Sequence, residues 1–381
     1  MDAGRLVGRL ERLVAFDTQN PPGAREAECA AWIAAELAAL GFAVEVDAFD
    51  EGRANVVATL ANGPGPCFAF NTHTDVVPAG EGWSTDPFRL QPRGADLVGR
   101  GACDAKGALA AMLEALHLLA GARASWSGTL MGVFVADEEA SSRGARRYAA
   151  TKPGIDLVVV GEPSGNIPIT AHKGSLRPLV RVAGRTAHSG TPELGINAIF
   201  QAGKLLPRIE AMHATLATKR HPLVGQPSLT VTRAMAGKAD NVVPDACDLL
   251  LDRRLVPGER EADAVAAIDV MLKAAQADGI EATIVELRPT TGGAAETATS
   301  HPAVQAAIAA ARRHGVPDPT PIGFGGACDF VHFREAGAEG LVLGPGDLAV
   351  AHKPDEFVPR AELEAAALIY RDIAAALLVA P

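Results

Sequence analysis

The sequence predicts an α/β protein: a layered, mixed-sheet domain into which a smaller α+β domain is inserted. Three observations predict it. Apolar runs of strand length alternate with helical segments from Val44 to Val160, and the alternation resumes near the end. Between them, from about Gly174 to Leu287, the order becomes β-α-β-β-α-β, the ferredoxin-like pattern. Several apolar runs also stop at a histidine or carboxylate, and open α/β sheets bind ligands just beyond the carboxyl ends of their strands.

In chain order, two amphipathic helices come first, about Gly4–Phe16 and Glu26–Leu40. Gly41 stops the second from the position after a helix where glycine is favoured. Strands at Val44–Phe49, Asn55–Leu60 and Cys67–Asn71 precede a helix near Lys106–Leu119. A strand at Leu130–Ala136, a helix near Ser142–Ala150 and a strand at Leu157–Val160 follow. The insertion reads as a strand (Leu176–Val182), a helix (Ile196–Leu216), two strands (Ser228–Ala234, Ala246–Leu255), a helix (Ala262–Ala277) and a strand (Ala282–Leu287). A helix at His301–His314, a strand near Gly340–Leu343 and a helix at Arg360–Leu378 complete the outer domain. Domain boundaries are therefore expected at 1–173 with 288–381, and at 174–287.

Composition narrows the function. A chain of 381 residues can bury a sizeable core in two domains. The net charge of -10 argues against nucleic acid or an anionic membrane as partner. No apolar run is long enough to span a bilayer, and the amphipathic start has no signal-peptide stretch. Five scattered cysteines without a CxxC pair suit reduced thiols, so a cytoplasmic location is expected.

The chemistry lies in Asn71-Thr-His73-Thr-Asp75, Gly99-Arg-Gly-Ala-Cys-Asp104-Ala-Lys-Gly107, Asp137-Glu138-Glu139, Gly161-Glu162-Pro-Ser164 and Ala351-His352-Lys353-Pro354. Three of these follow strand-like runs, so residues distant in sequence would meet in one crevice. That many carboxylates could not all stay ionised there without cations. Two divalent metals would remove the conflict. One carboxylate can hold two ions, each on one oxygen. Asp75, two residues after His73 on an extended segment, faces the same side and can orient the imidazole. Glu138 and Glu139, being adjacent, cannot both point at one ion. Taken singly each residue has an ordinary reading: a carboxylate pair as a solvated helix start, Asp104 as a helix cap. His117, His213, His221, His301 and His314 are read as structural. Nucleotide-binding, HExxH and Gly-x-Ser-x-Gly patterns are absent from the sequence.

Together these stretches, with Gly344-Pro-Gly-Asp-Leu-Ala-Val-Ala-His352-Lys-Pro-Asp-Glu356, resemble the acetylornithine deacetylase, succinyl-diaminopimelate desuccinylase and aminoacylase family of metallohydrolases over essentially the whole chain. The resemblance implies a zinc-exopeptidase-like outer domain and an inserted lid and dimerisation domain. It implies two divalent metal ions, Zn2+ with Co2+ or Mn2+ as alternatives. His73 and Glu162 would hold one ion and Glu139 and His352 the other, with Asp104 bridging. A cis peptide follows the bridging Asp in relatives, and Ala105 replaces the bulkier residue common there.

The same resemblance makes Glu138 the base, taking a proton from the attacking water and passing it to the leaving amine. His188, in Gly184-Arg-Thr-Ala-His188-Ser-Gly190, would stabilise the oxyanion, often across a dimer interface. Asn241 and Arg254 would contact the carboxylate end of the substrate, with Arg253 as the alternative to Arg254. His172 and Lys173 fall at the expected hinge. The substrate expected is a small N-acyl, first N-acetyl, L-amino acid such as an acetylornithine-like compound. A desuccinylase, or a dipeptidase or aminopeptidase of the same architecture, is the alternative, and a metal-binding protein without activity the non-enzymatic one. Gly325-Gly-Ala-Cys-Asp-Phe-Val-His332 is a looser match to the family's substrate loop.

Overall fold

The computed structural model describes residues 1–20 and 25–379. The chain divides into two compact units, one formed by 1–170, 296–323 and 329–381, the other by 171–295 and 324–328. The second unit thus begins a few residues before the expected Gly174 and ends beyond Leu287. It also takes in the short segment 324–328, which sequence alone assigned to the outer domain.

In the first unit a mixed sheet runs in the order Ala43–Asp50, Arg53–Asn62, Gly128–Val135, Cys67–His73, Leu157–Val160, Glu339–Val342. The first three strands pair antiparallel, and the last four are parallel to one another. The parallel strands are buried on both faces and read as near-continuous apolar runs, as such strands do. Their carboxyl ends all lie along one rim.

Helices Ala3–Val14, Lys106–Gly121, Pro302–Arg313 and Arg360–Leu377 join this sheet in one continuous core. The helix Lys106–Gly121 is its centre: every residue from Lys106 to Leu116 is buried. Alanine and glycine allow that, because small side chains let neighbouring backbones approach. A Cβ at Gly107 would run into the carbonyl oxygen of Ala102. The helix Glu26–Ala39 ends as expected, with Gly41 at φ 85° in the left-handed region that glycine tolerates. Short strands that the sequence did not reveal, Gln91–Arg93, Asp96–Val98 and Phe357–Pro359, form a separate small sheet. The helix Phe330–Glu335 was not foreseen either.

The second unit carries an antiparallel four-stranded sheet in the order Ser228–Ala236, Ala246–Leu255, Gly174–Ala183, Ala282–Arg288. In chain order the strands lie 4-1-3-2, with helices Ala198–Leu216 and Glu261–Gln276 packed over one face around Val180, Leu205, Leu249 and Ile268. This is the ferredoxin-like arrangement expected from the element order. No helix among the described residues is long and apolar enough to cross a membrane.

One buried ion cluster ties the first helix to the central one. Glu114, fully buried, accepts from Arg5 Nε (2.9 Å), Arg5 Nη2 (2.6 Å) and Arg9 Nη1 (2.7 Å). Arg9 is itself buried and also meets Glu36 at 3.2 Å. Glu114→Ala strands Arg9 in a low-dielectric pocket and is expected to cost about 3 kcal/mol, the lower end for a broken buried pair because Glu36 remains. Urea denaturation at neutral pH checks this, and an effect under about 1 kcal/mol would contradict it.

Candidate metal centre

The crevice is built from the ends of strands. His73 is the last residue of Cys67–His73, Glu138 and Glu139 sit in the turn after Gly128–Val135, and Glu162 follows Leu157–Val160 closely. Asp104 precedes the central helix, joined to it through a cis peptide bond to Ala105. His352 stands in the long loop after Glu339–Val342, at φ 62°.

Asp104 joins the two histidines. Its Oδ1 lies 3.2 Å from His73 Nε2, and its Oδ2 lies 3.1 Å from His352 Nε2. Glu139 Oε2 lies 3.2 Å from the same His352 nitrogen. Ligand-type atoms of His73, Asp104 and Glu139 all fall within 4.8 Å of one another. Glu162 is buried beside them, where Asp104 and His73 are among the charges that act most strongly on it.

The electrostatics are those of crowded, desolvated carboxylates. Burial, then the charge of Glu162, pushes the Glu138 carboxyl well above its ordinary range. Burial, then Asp104, does the same to Glu162 and lifts Glu139 as well. Burial would also raise Asp104, but the hydrogen bonds to His352 and His73 outweigh it and hold the carboxyl low. The contacts with Asp104 and then Glu139 raise His352 to about 10. The carboxylates thus draw protons toward the two imidazoles by the same attraction that would hold a cation.

Asp75 is in the expected place with a different division of labour. His73 Nδ1 is 2.9 Å from the backbone carbonyl of Asp75 and 3.5 Å from its Oδ1, so the main chain makes the closer contact to the ring. The carboxylate instead accepts backbone N–H groups from Glu138 (3.1 Å) and Glu139 (3.2 Å), and the amide of Asn20 (2.9 Å). Asp75 thus sets the turn that presents both glutamates.

Glu356, the last residue of the Gly344–Glu356 motif, gives structural support to Asp104. Its Oε1 accepts N–H groups from Cys103 (3.0 Å) and Asp104 (2.9 Å), and its Oε2 pairs with the buried Arg100. Arg100 also donates to the carbonyls of Ala79 (3.1 Å) and Lys353 (3.4 Å), linking the Asp104 segment to the His352 loop.

The other candidates lie in the second unit. His188 is exposed, and its Nδ1 accepts from Gly190 N–H at 3.0 Å, which leaves Nε2 to carry the proton in the neutral ring. Asn241 is its neighbour: the Asn241 carbonyl accepts from Ser189 at 2.9 Å, and His188 bridges Val242. Arg253 is buried and bound to Glu259 at 2.7 Å, whereas Arg254 is half-buried and paired with Asp252 at 2.7 Å. Arg254 is thus the freer of the two arginines. It pairs with Ser175 at one end of the strand Gly174–Ala183, while His188 and Asn241 follow the other end. At about 3.3 Å per residue they stand roughly 25–30 Å apart. Arg254 and Asn241 thus belong to opposite ends of this sheet.

The sequence matches peptidase family M20/M25/M40 over residues 69–376. It is 33% identical to an acetylornithine deacetylase from Myxococcus xanthus, covering 94% of this chain and 93% of that one. It is also 33% identical to an N-acetyl-L-citrulline deacetylase from Xanthomonas campestris, covering 93% of each. Among solved structures, a dinuclear metal-binding peptidase of the M20 family from Bacillus subtilis superposes with a TM-score of 0.74 at 20% identity, covering 99% of this chain and 98% of that one. With its rim of strand-end carboxylates and histidines and its ferredoxin-like second unit, this chain belongs to peptidase family M20/M25/M40.

Proposed function

We propose that the protein is a di-metal amide hydrolase that removes the acyl group, first acetyl, from an N-acyl L-amino acid. The observation that carries this reading is Asp104, which turns its two oxygens toward two different histidines. A carboxylate shared in that way suits a pair of ions about 3.5–4 Å apart. The substrate class follows the deacetylase relatives, which match this chain along nearly its whole length.

The residues fit such ions. Imidazole nitrogens and carboxylate oxygens suit zinc and also accept cobalt or manganese. Glu139 Oε1 is buried with no hydrogen-bond partner, an acceptor that a cation would satisfy. We assign His73 and Glu162 to one ion, Glu139 and His352 to the other, and Asp104 to both. When bound, the ions polarise a carbonyl and acidify water.

Glu138 supplies the proton transfers. Its desolvated carboxyl, with a raised proton affinity, accepts a proton from the attacking water and returns it to the leaving nitrogen. Asp75 holds that glutamate in place through its backbone. Arg254 receives the substrate α-carboxylate as a guanidinium can, with two parallel hydrogen bonds. The distance between Arg254 and the His188–Asn241 pair favours a homodimer in which His188 of the partner subunit meets the oxyanion and Asn241 of the partner subunit adds a neutral hydrogen bond. Such an enzyme works in the cytosol, where its five free cysteines stay reduced. A screen of N-acetyl, N-succinyl and N-formyl amino acids beside dipeptides tests the reading, and preference for unacylated dipeptides would replace it.

Metal-replete protein is expected to hold two equivalents of zinc, and a chelator to abolish turnover. Elemental analysis below one equivalent, with activity surviving chelation, would contradict this.

Glu138→Gln keeps the shape of the side chain, so two metals should remain while kcat falls by roughly 10²–10⁴. Asp104→Asn and His352→Ala should instead weaken metal affinity. Steady-state kinetics together with metal analysis separates the two outcomes.

Methyl esters of a good substrate should lose kcat/KM, and Arg254→Ala should lose a similar amount. About 2 kcal/mol is expected, the low end for a broken charge pair, since the Arg254 side chain is 30% exposed. The two losses should not add, because each removes the same interaction. Equal rates on acid and ester would exclude this role for Arg254.

A further inference from the structure

Behind the two glutamates lies a buried polar cluster that none of the roles above uses. Asn20 is 3% exposed, and each polar atom of its side chain is engaged. Its Oδ1 accepts from Arg53 Nη2 at 2.7 Å. Its Nδ2 donates to Asp75 Oδ2 at 2.9 Å and to Asp137 Oδ1 at 2.9 Å. Arg53 also pairs with Asp137 and lies 3.4 Å from the buried Glu26, whose other oxygen accepts the Asp137 N–H at 3.1 Å. Because the guanidinium can only donate, it fixes which way the Asn20 amide faces. The NH2 group is therefore aimed at the two carboxylates, one hydrogen for each.

Those two carboxylates bracket the base. Asp137 immediately precedes Glu138 and holds φ 71°, a conformation uncommon for a side-chain-bearing residue. Asp75 accepts the N–H groups of Glu138 and Glu139. Without a donor between them, Asp75 and Asp137 would repel across a dry gap. The turn carrying Glu138 would then relax.

We propose that Asn20 is a positioning residue for the proton-transfer step: its amide, oriented by Arg53, clamps Asp75 to Asp137 and so fixes the backbone that presents Glu138. The proposal rests on Glu138 being the base. Its signature is kinetic. A displaced base slows the chemical step, and a misplacement of the order of 1 Å can cost roughly 10²-fold in rate. Of the groups that hold the ions only Glu139 lies on this turn; His73, Asp104, Glu162 and His352 are placed by other segments, so both ions should be retained and KM spared.

The test uses full-length, zinc-loaded protein and N-acetylornithine, with Asn20→Asp as the first variant. Asp has the same shape but turns the donor into an acceptor facing two carboxylates. Asn20→Ala serves if the Asp variant does not fold. The expected result is a fall in kcat of about 10²-fold, KM within about threefold, and two metals retained after dialysis against a weak chelator. Leu10→Ala, a core change in the first helix, controls for lost stability: at a matched drop in Tm its kcat should stay near that of the parent. Normal kcat in the Asn20 variants, with Glu138→Gln inactive, overturns the positioning role and leaves the hydrolase reading standing. Loss of metal, or an equal loss of activity in Leu10→Ala, overturns it too. Full turnover by Glu138→Gln sinks the underlying reading instead.

Discussion

Crowding of carboxylates in a dry crevice is the constraint around which the first unit is built. Asp75, Asp104, Glu138 and Glu162 are buried together at the strand ends, with Glu139 half-buried among them and Asp137, Asp329 and Glu356 close behind. An isolated buried charge costs many kcal/mol, so each needs a donor or a cation. The fold answers in two layers. The outermost carboxylates face histidines and, in the proposed enzyme, metal ions. Three of the inner ones are satisfied by the protein itself: Asp75 by two backbone N–H groups and Asn20, Glu356 by two backbone N–H groups and Arg100, Asp137 by Arg53 and Arg143. The inner layer is what makes the outer one geometrically definite.

The outer layer was legible in the sequence and the inner one mostly was not. His73, Glu139 and Glu162 could be read because each follows an apolar run, and the run itself is a local signal of a buried strand. Asp75 was legible as a partner of the site from its spacing to His73. Its contacts were not, because the backbone of a turn more than 60 residues later competes for its oxygens. Asn20, Arg53 and Glu356 make their decisive contacts with residues far away in the chain, several with main-chain groups, and no periodicity announces such a contact. The only local hint for Glu356 was its place four residues after His352.

Element identity followed the same division. Long segments with clear periodicity, such as Ala246–Leu255 and Ala198–Leu216, fold as their pattern indicates. The strands Gln91–Arg93, Asp96–Val98 and Phe357–Pro359 have three residues each, too few to show alternation. Their partners, not their composition, make them strands. In the second unit the order of elements was enough to give the 4-1-3-2 sheet, since that topology is the compact solution for two β-α-β halves. What the order could not give was the distance along the sheet between Arg254 and His188.

The central helix has a consequence for how this protein can change over time. From Lys106 to Leu116 it is enclosed on all sides. Enlarging one of its alanines forces neighbours off their rotamers, and trimming its leucines opens a cavity, so neither drift is cheap. Single substitutions there are blocked in both directions, and change must come as compensating pairs across the Arg360–Leu377 and Ala3–Val14 helices. The loops beyond the strand ends have no such bound. Divergence in what the crevice accepts should therefore accumulate in those loops, while the segment that holds Asp104 stays nearly fixed as their common reference point.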